Sequence, residues 1–236
     1  MVLTPPVRRV SWATATRIIA TRYPPIDLFE RISPDPAVRD ALIEAEMMTN
    51  PRLRDEIGEI RLVPPEDRVT GPGAGYVMAA FTHVNPAGSR FSDGSYGVYY
   101  AARDLATAVA ETAYHFGRFA RDSDDGPRYE DMRVLVCRID RSFHDASRLP
   151  EPERSLVLDP DDYSAGRRLA GALRDAGSNG IVYPSVRRPG GHCVAAFRPK
   201  AVGLPVQAKH LKYHWDGHAV RRYFDYAEDR WCDTGL

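Results

Sequence analysis

The sequence lacks the features that mark several classes of protein. Its three cysteines, Cys137, Cys193 and Cys232, are odd in number and far apart, and none belongs to a CxxC pair. This spacing indicates neither a disulfide framework nor a zinc site, so we expect no bound metal. No stretch approaches the roughly eighteen apolar residues of a membrane span, and the first residues carry no apolar signal segment. We therefore expect a cytoplasmic protein with no membrane partner.

An excess of charge of one sign is also lacking. Lys plus Arg and Asp plus Glu both number 32, so the formal net charge is zero. This balance does not favour general binding to nucleic acid, although a local basic cluster stays open. The glycine-rich residues 71–75 are not followed by GK[ST], which excludes a P-loop, and no strand is predicted before them for a dinucleotide fingerprint.

What is present indicates an ordinary globular protein. With 236 residues, 43% hydrophobic and 27% charged, the chain is long enough to bury a sizeable core. Helix and strand patterns are mixed without regular βαβ spacing, and no linker divides them, so we predict a single α+β domain. Helices are predicted over residues 11–23, 36–49, 105–119 and 163–176; a short strand or turn over 26–33; strands over 76–84, 97–101, 132–139, 181–184 and 192–197; and a strand pair over 202–213.

Residues 89–115, SRFSDGSYGVYYAARDLATAVAETAYH, combine side chains that can grip a charged aromatic ligand. The guanidinium of Arg90 suits a phosphate, or it forms a surface ion pair with Asp93. Tyr99 and Tyr100 point to opposite sides of a strand, so one of them can stack on a heterocycle, or both pack in the core.

Two further positions carry both a functional and a plain interpretation. Glu111 lies on the flank of an apolar helix stripe, where a partly shielded carboxylate could bind ribose hydroxyls or stabilise a cationic sugar; the alternative is an exposed pair with His115. Ser185 follows Pro184 at the end of a strand and serves as a substrate donor or as an ordinary turn residue. The nearby cations, which could form a local positive site or stay on the surface, are Arg31, Arg187, Arg188 and His192.

These residues occur in an order that resembles the RES-domain family. The matching pieces are LFERI around Arg31, SRFSDGSYGVYYAA around Arg90 and Tyr100, ETA around Glu111, and IVYPS with Ser185. The resemblance implies an α+β fold with a central mixed sheet, related to ADP-ribosyltransferases, over residues 26–210 with an insertion at about 33–86. Residues 1–25 are then a helical extension and residues 211–236 a tail.

The resemblance also implies an activity. Family members include toxins of toxin–antitoxin pairs that consume NAD, so we expect cleavage of the nicotinamide–ribose bond by an NAD phosphorylase or glycohydrolase. ADP-ribosylation of a protein target and a non-catalytic interaction module are the alternatives. NAD would be the substrate, with inorganic phosphate as the co-substrate of a phosphorylase, and no separate cofactor is needed. A cognate antitoxin is the implied partner, and a homo-oligomer stays open.

The resemblance also implies a role for each residue that matches a functional position of the family. Arg31, Arg90 and Glu111 are the implied catalytic residues: the two arginines would hold phosphates and Glu111 would orient the nicotinamide ribose. Tyr100 would contact the nicotinamide end and Ser185 would complete the NAD pocket. Two assignments stay open, since Arg22 competes with Arg31 as the first family arginine and His192 stands where many relatives have an asparagine-containing motif.

Overall fold

A computed structural model describes residues 3–33, 35–49 and 55–236 of the chain. The strands are β1 (Val7–Ala20), β2 (Tyr99–Ala102), β3 (Arg128–Asp145), β4 (Gly180–Pro184), β5 (His192–Ala196), β6 (Val206–Trp215), β7 (Val220–Asp225) and β8 (Arg230–Asp233). The main helices are α1 (Asp27–Arg31), α2 (Pro36–Thr49), α3 (Ala74–Thr82), α4 (Leu105–Asp122), α5 (Glu153–Val157) and α6 (Ser164–Asp175).

All the strands belong to one mixed sheet of eight strands in the order β1-β2-β5-β4-β3-β6-β7-β8. β1 also pairs with β3, so strands β1, β2, β5, β4 and β3 form a closed circuit of hydrogen-bonded neighbours. The β3–β4 pair is parallel, whereas the other pairs are antiparallel. The expected single α+β domain with a central mixed sheet is therefore confirmed.

The two sides of the sheet carry separate hydrophobic clusters. Alternation along β2 sends Tyr99 into one cluster and Ala102 into the other. Helices α4 and α6 cover the Ala102 side, and α1 and α3 cover the Tyr99 side. Each fully buried large apolar side chain contributes about 1.5–3 kcal/mol relative to exposure, so both clusters support the sheet that positions the site.

The predicted helix over residues 11–23 is wrong, because this segment belongs to β1. Its buried side chains Val10 and Trp12 alternate with exposed ones, and after a bulge between Trp12 and Ala15 the alternation resumes at Thr16. β1 pairs with β3 from Val7 to Ala20, so tertiary pairing outweighs a propensity for helix. Residues 1–25 are consequently not a helical extension but supply a strand of the central sheet.

Three other predictions are also wrong. Residues 26–33 contain the helix α1, residues 76–84 lie mostly in α3 instead of a strand, and residues 202–213 contain one strand, β6, instead of a pair. Short apolar runs fit a buried helix as well as a strand, so periodicity alone does not separate them. In α3, Gly75 allows close approach to α1, since a Cβ there would lie 2.5 Å from the backbone nitrogen of Ile26.

The remaining element predictions agree with the structure. α2 has the predicted bounds, and α4 begins after Asp104, whose Oδ1 accepts a hydrogen bond from the backbone N–H of Thr107 at 2.8 Å. α6 ends before Gly177, which adopts a left-handed φ of 76°. The C-terminal segment extends the sheet with the β7–β8 hairpin, so β8 is the last strand of the sheet.

The described residues contain neither a membrane-spanning helix nor a metal-binding group of side chains. None of the helices in residues 3–33, 35–49 and 55–236 is long and apolar enough to cross a membrane. Over the same ranges, no three histidine, cysteine, aspartate or glutamate side chains group together in a way that could hold a metal ion.

Candidate active site around Glu111

A hydrogen bond between Glu111 and Ser185 lies at the centre of the site. Ser185 Oγ donates to Glu111 Oε1 at 2.6 Å, and the Glu111 side chain is only 17% exposed. The same hydroxyl accepts the backbone N–H groups of Arg187 at 3.2 Å and Arg188 at 3.1 Å. Because these two N–H groups occupy the serine lone pairs, its proton is directed at the carboxylate.

Local structure explains why the two residues meet. Asp104 caps α4 and sets the start of the helix that carries Glu111 across β2 and β5. Ser185 directly follows β4, and its backbone N–H donates to the carbonyl of Gly191 at 2.9 Å, which closes the loop between β4 and β5. Glu111 is therefore shielded and bound to Ser185 instead of exposed, although its carboxylate also lies 3.9 Å from His115.

The sheet beneath Glu111 presents neutral groups. Cys193 Sγ lies 3.9 Å from Glu111 Oε1, and Tyr183 on the neighbouring strand β4 is buried. Burial, with the nearby carboxylate adding to it, raises the pKa of the Cys193 thiol well above its usual value. Burial also raises the pKa of Tyr183. Both groups stay protonated at neutral pH, so Cys193 is not suited to act as a nucleophile.

Arg90 lies beside this pair and has no carboxylate partner among the described residues. It is 7% exposed, donates from Nη1 to the carbonyl of Asp159 at 2.5 Å, and stacks over the Tyr163 ring at 4.5 Å. The Tyr163 hydroxyl is buried without a hydrogen-bond partner within the described part of the chain. The guanidinium is thus held by a carbonyl dipole and a ring face, with no ion pair to a carboxylate among the described residues.

Arg187 is also held by a tyrosine ring and a main-chain carbonyl. Its guanidinium lies 3.4 Å from the centroid of the Tyr114 ring and donates from Nη2 to the carbonyl of Pro160, while its Nε is buried without a partner in the described structure. Asp159 and Pro160 are neighbours in the 158–163 loop, the connection between α5 and α6. One short loop therefore contacts both arginines.

His115 borders the site but stays neutral. Its Nε2 lies 3.9 Å from Glu111 Oε2, and half of its side chain is exposed. Desolvation, followed by the positive charges of Arg187, Arg90 and Arg118, lowers its pKa to about 4. At neutral pH the imidazole is therefore uncharged and is not suited to act as a general acid.

Tyr100 supports the turn that carries Arg90. Its hydroxyl shares a hydrogen bond with Ser89 Oγ at 2.7 Å and accepts the backbone N–H of Phe91 at 3.0 Å. Burial raises the pKa of Tyr100 to about 12, so it remains a phenol. Tyr99 packs in the cluster on the opposite side of the sheet, as strand alternation predicts.

The structure does not bring Arg31 or Arg22 to Glu111. Arg31 ends α1 on the other side of the sheet, is largely exposed and forms an ion pair with Asp27. Arg22 pairs with Glu130 at 3.2 Å. Sequence order suggested Arg31, but strand pairing places its helix with the opposite cluster.

His192 also points elsewhere. On β5 it alternates with Cys193, whose thiol faces Glu111, so the imidazole lies on the other side of the strand. The sequence did not identify the tyrosines that stack on the two arginines, Tyr114 and Tyr163, or the 158–163 loop. The prolines at residues 150–160 were the available signal, and they indicated only that this segment connects two elements of secondary structure.

Comparisons with known proteins show the family of the chain. The RES domain family model matches residues 65–216, which contain Arg90, Glu111 and Ser185 but not Arg31. This match covers more than half of the chain, so the chain belongs to the RES domain family.

Two individual proteins are also similar. The chain is 30% identical over 205 residues to the uncharacterized protein y4oC of Sinorhizobium fredii (strain NBRC 101917 / NGR234), covering 86% of this chain and 84% of y4oC. Among solved structures, the M. tuberculosis MbcT–MbcA toxin–antitoxin complex contains a chain with a TM-score of 0.44 and 12% identity, covering 89% of this chain and 87% of that one.

Proposed function

We propose that this protein cleaves NAD at the bond between nicotinamide and ribose, as an NAD phosphorylase or glycohydrolase. The observation that carries the proposal is the shielded Glu111–Ser185 hydrogen bond beside Arg90 and Arg187, two arginines without carboxylate partners among the described residues. Membership of the RES domain family supports the same activity, because the matched region contains this set.

The electrostatics fit the bond to be broken. Nicotinamide carries a positive charge while attached to the ribose and leaves as a neutral molecule, so no strong general acid is needed. Positive charge then develops on the ribose ring, and the carboxylate of Glu111 can stabilise it. The neutral His115 is consistent with this scheme, since it supplies no proton at pH 7.

The arginines suit the rest of the substrate. A guanidinium presents a planar fork of donors that matches phosphate oxygens, so Arg90 and Arg187 are proposed to hold the pyrophosphate. In a phosphorylase, one oxygen of inorganic phosphate attacks the ribose carbon as the bond to nicotinamide breaks. In a glycohydrolase, water attacks the same carbon and loses a proton to solvent.

A product assay tests the proposal and identifies the acceptor. Purified protein is incubated with NAD, with and without inorganic phosphate, and nicotinamide and the ADP-ribose products are separated by chromatography. Phosphate-dependent release with a phosphorylated ribose product supports phosphorolysis, and release without phosphate supports hydrolysis. Radiolabel from NAD on protein would instead favour ADP-ribosylation. Folded protein that releases no nicotinamide under any condition would refute the proposal.

The matched variants are Glu111→Gln and Glu228→Gln. Glu111→Gln keeps the size of the side chain and removes its charge, whereas Glu228 is exposed in the turn between β7 and β8. NAD consumption should fall with Glu111→Gln and stay unchanged with Glu228→Gln. Equal activity of the two variants would exclude a catalytic role for Glu111.

The same variants test a toxin role, which we propose together with a cognate antitoxin and a cytoplasmic location. Expression of the wild-type chain should slow bacterial growth and lower cellular NAD, and Glu111→Gln should do neither. Slow growth that persists in the Glu111→Gln variant with normal NAD would favour a non-catalytic interaction module.

A further inference from the structure

Arg167 lies in the first turn of α6 and binds the chain turn that carries Arg90. Its Nε donates to the carbonyl of Ser89 at 2.9 Å, and its Nη2 donates to the carbonyl of Ala87 at 2.8 Å. A guanidinium presents its donors in a fixed plane, so two bonds from one arginine also fix the distance between the two carbonyls. Arg167 therefore ties the main chain just before Arg90 to a helix that lies 78 residues further along the chain.

The same turn of α6 contacts Arg90 itself. The backbone N–H of Arg167 donates to the carbonyl of Tyr163 at 2.9 Å, so both residues belong to one helical turn. The Tyr163 ring lies against the Arg90 guanidinium at 4.5 Å. Between them, a Cβ at Gly166 would lie 2.7 Å from the carbonyl oxygen of Arg90, so the two backbones are in direct contact. This end of α6 thus holds both the main chain and the side chain of Arg90.

The other side of the turn that carries Arg90 is open. Gly88 and Ser89 line a cavity of about 690 Å³ where β1 and β2 separate. Gly88 adopts a left-handed φ of 74°, and a Cβ there would lie 3.1 Å from Nη2 of Arg167, so glycine allows the guanidinium to approach the turn closely. Because the cavity leaves this side without close packing, the position of the turn depends on the Tyr100 hydroxyl and on Arg167.

The contacts of the two arginines separate their roles. Arg90 lies beside Glu111, whereas Arg167 uses its donors on the main chain of the turn. A charge-assisted hydrogen bond weakens steeply when donor and acceptor are misaligned, so Arg90 can grip a phosphate only from a fixed position. A shift of the turn would therefore weaken the substrate contact of Arg90 even though Arg167 touches no substrate.

We propose that Arg167 is a positioning residue, which sets the Arg90 guanidinium for the pyrophosphate of NAD by holding the carbonyls of Ala87 and Ser89. This inference rests on the function proposed above, in which Arg90 holds that pyrophosphate. Arg167 acts through Arg90 and adds no substrate contact of its own. Changes at the two arginines are therefore not independent in their effect on binding.

A double-mutant cycle tests the proposal with ADP-ribose, which contains the pyrophosphate but has no bond to nicotinamide. Calorimetry gives the Kd for the wild type, Arg90→Met, Arg167→Met and the double variant. Each single change should raise Kd by about tenfold, the expected loss of one charge-assisted contact. The double variant should match Arg90→Met to within about twofold, because Arg167 then has nothing left to position. Full multiplication of the two effects, or a wild-type Kd in Arg167→Met, would overturn the proposal.

Two further variants separate positioning from loss of structure. Arg168→Met removes the exposed neighbour of Arg167 on the same helix and should bind ADP-ribose like the wild type. Arg167→Lys keeps the charge but not the planar fork of donors, so its Kd should lie between those of the wild type and Arg167→Met. Circular dichroism and thermal unfolding check that each variant is folded. If Arg167→Met does not fold, the same cycle is run with Arg167→Lys.

Steady-state kinetics distinguish this inference from the function on which it rests. Arg167→Met should raise KM for NAD by about tenfold and change kcat less. A fall in kcat with KM unchanged would overturn the positioning role. A wild type that binds ADP-ribose but releases no nicotinamide from NAD would refute the proposed activity alone, and the cycle of Kd values would still decide the role of Arg167. A wild type that binds no ADP-ribose would refute the positioning role as well.

Discussion

Two regions of the molecule, one around Glu111 and one where β1 and β2 separate, hold arginines by the same kinds of contact. Arg90, Arg187 and Arg17 each donate to a main-chain carbonyl and stack on a tyrosine ring, and none has a carboxylate partner in the described structure. At Glu111 the carbonyls come from the 158–163 loop, whereas Arg17 donates to a carbonyl of the neighbouring strand β2 and lines a cavity of about 690 Å³. The arginines near Glu111 therefore depend on a loop for their position, and Arg17 depends on the sheet.

The largest expected effect is the loss of NAD cleavage in a variant of Glu111. Glu111→Gln should lower kcat for NAD cleavage by about 10²–10³-fold, since removal of one preorganised stabilising group typically costs that much. Steady-state nicotinamide release measures kcat, and circular dichroism of the same preparation checks that the variant is folded. A folded Glu111→Gln variant with the kcat of the wild type would contradict this role.

The next test concerns the loop that covers the arginines. Arg187→Met should raise KM for NAD by about tenfold, because one charge-assisted contact to phosphate is lost, and change kcat less. Arg154→Met is the matched control, since Arg154 pairs with Glu151 at 2.7 Å on α5. Hydrogen exchange should also show faster exchange across residues 158–163 in Arg187→Met. A fall in kcat with KM unchanged would contradict a role in holding substrate.

Packing on the cavity side gives a smaller effect. Gly75→Ala should lower the free energy of unfolding by about 1–3 kcal/mol, because the added Cβ would lie 2.5 Å from backbone atoms of Ile26. Gly171→Ala in α6 is the control, since its Cβ would meet nothing within 4 Å, and helix propensity should make it neutral or stabilising by up to about 1 kcal/mol. Denaturant titration checks both. Equal destabilisation by the two changes would contradict the close α1–α3 contact.

The smallest effect is the pH dependence of stability contributed by His115. Its pKa is lowered to about 4 in the folded protein, so below pH 6.5 the unfolded chain binds a proton that the folded chain does not. Stability should therefore fall as pH drops from about 6.5 towards 4. The drop in Tm between pH 7.5 and 5 should be smaller for His115→Gln than for the wild type or for the surface variant His218→Gln. An equal drop in all three would indicate that the folded His115 is not shielded from protonation.

Local signals predicted the Glu111 side better than the cavity side. The Asp104 cap, the apolar stripe of α4 and the Gly177 stop are short-range features, and each matched the structure. β1, α1 and α3 were misassigned because short apolar runs fit strand or helix equally, and their conformation depends on partners distant in sequence. Arg17 was missed for the same reason, since a segment interpreted as a helix does not place it beside Tyr100.

By itself the sequence determined the class of fold and the helix that carries Glu111. The order of Arg90, Glu111 and Ser185 also indicated the RES domain family. These follow from residue order and from interactions within one or two turns. Only the tertiary structure decided that Arg31 lies on the opposite side of the sheet, that Arg187 and the 158–163 loop border the site, and that Arg17 faces a cavity. The reason is that β1 pairs with β3, a strand more than a hundred residues away in the sequence. Such pairing, and the side of the sheet on which each helix packs, depend on how apolar side chains from the whole chain are buried together.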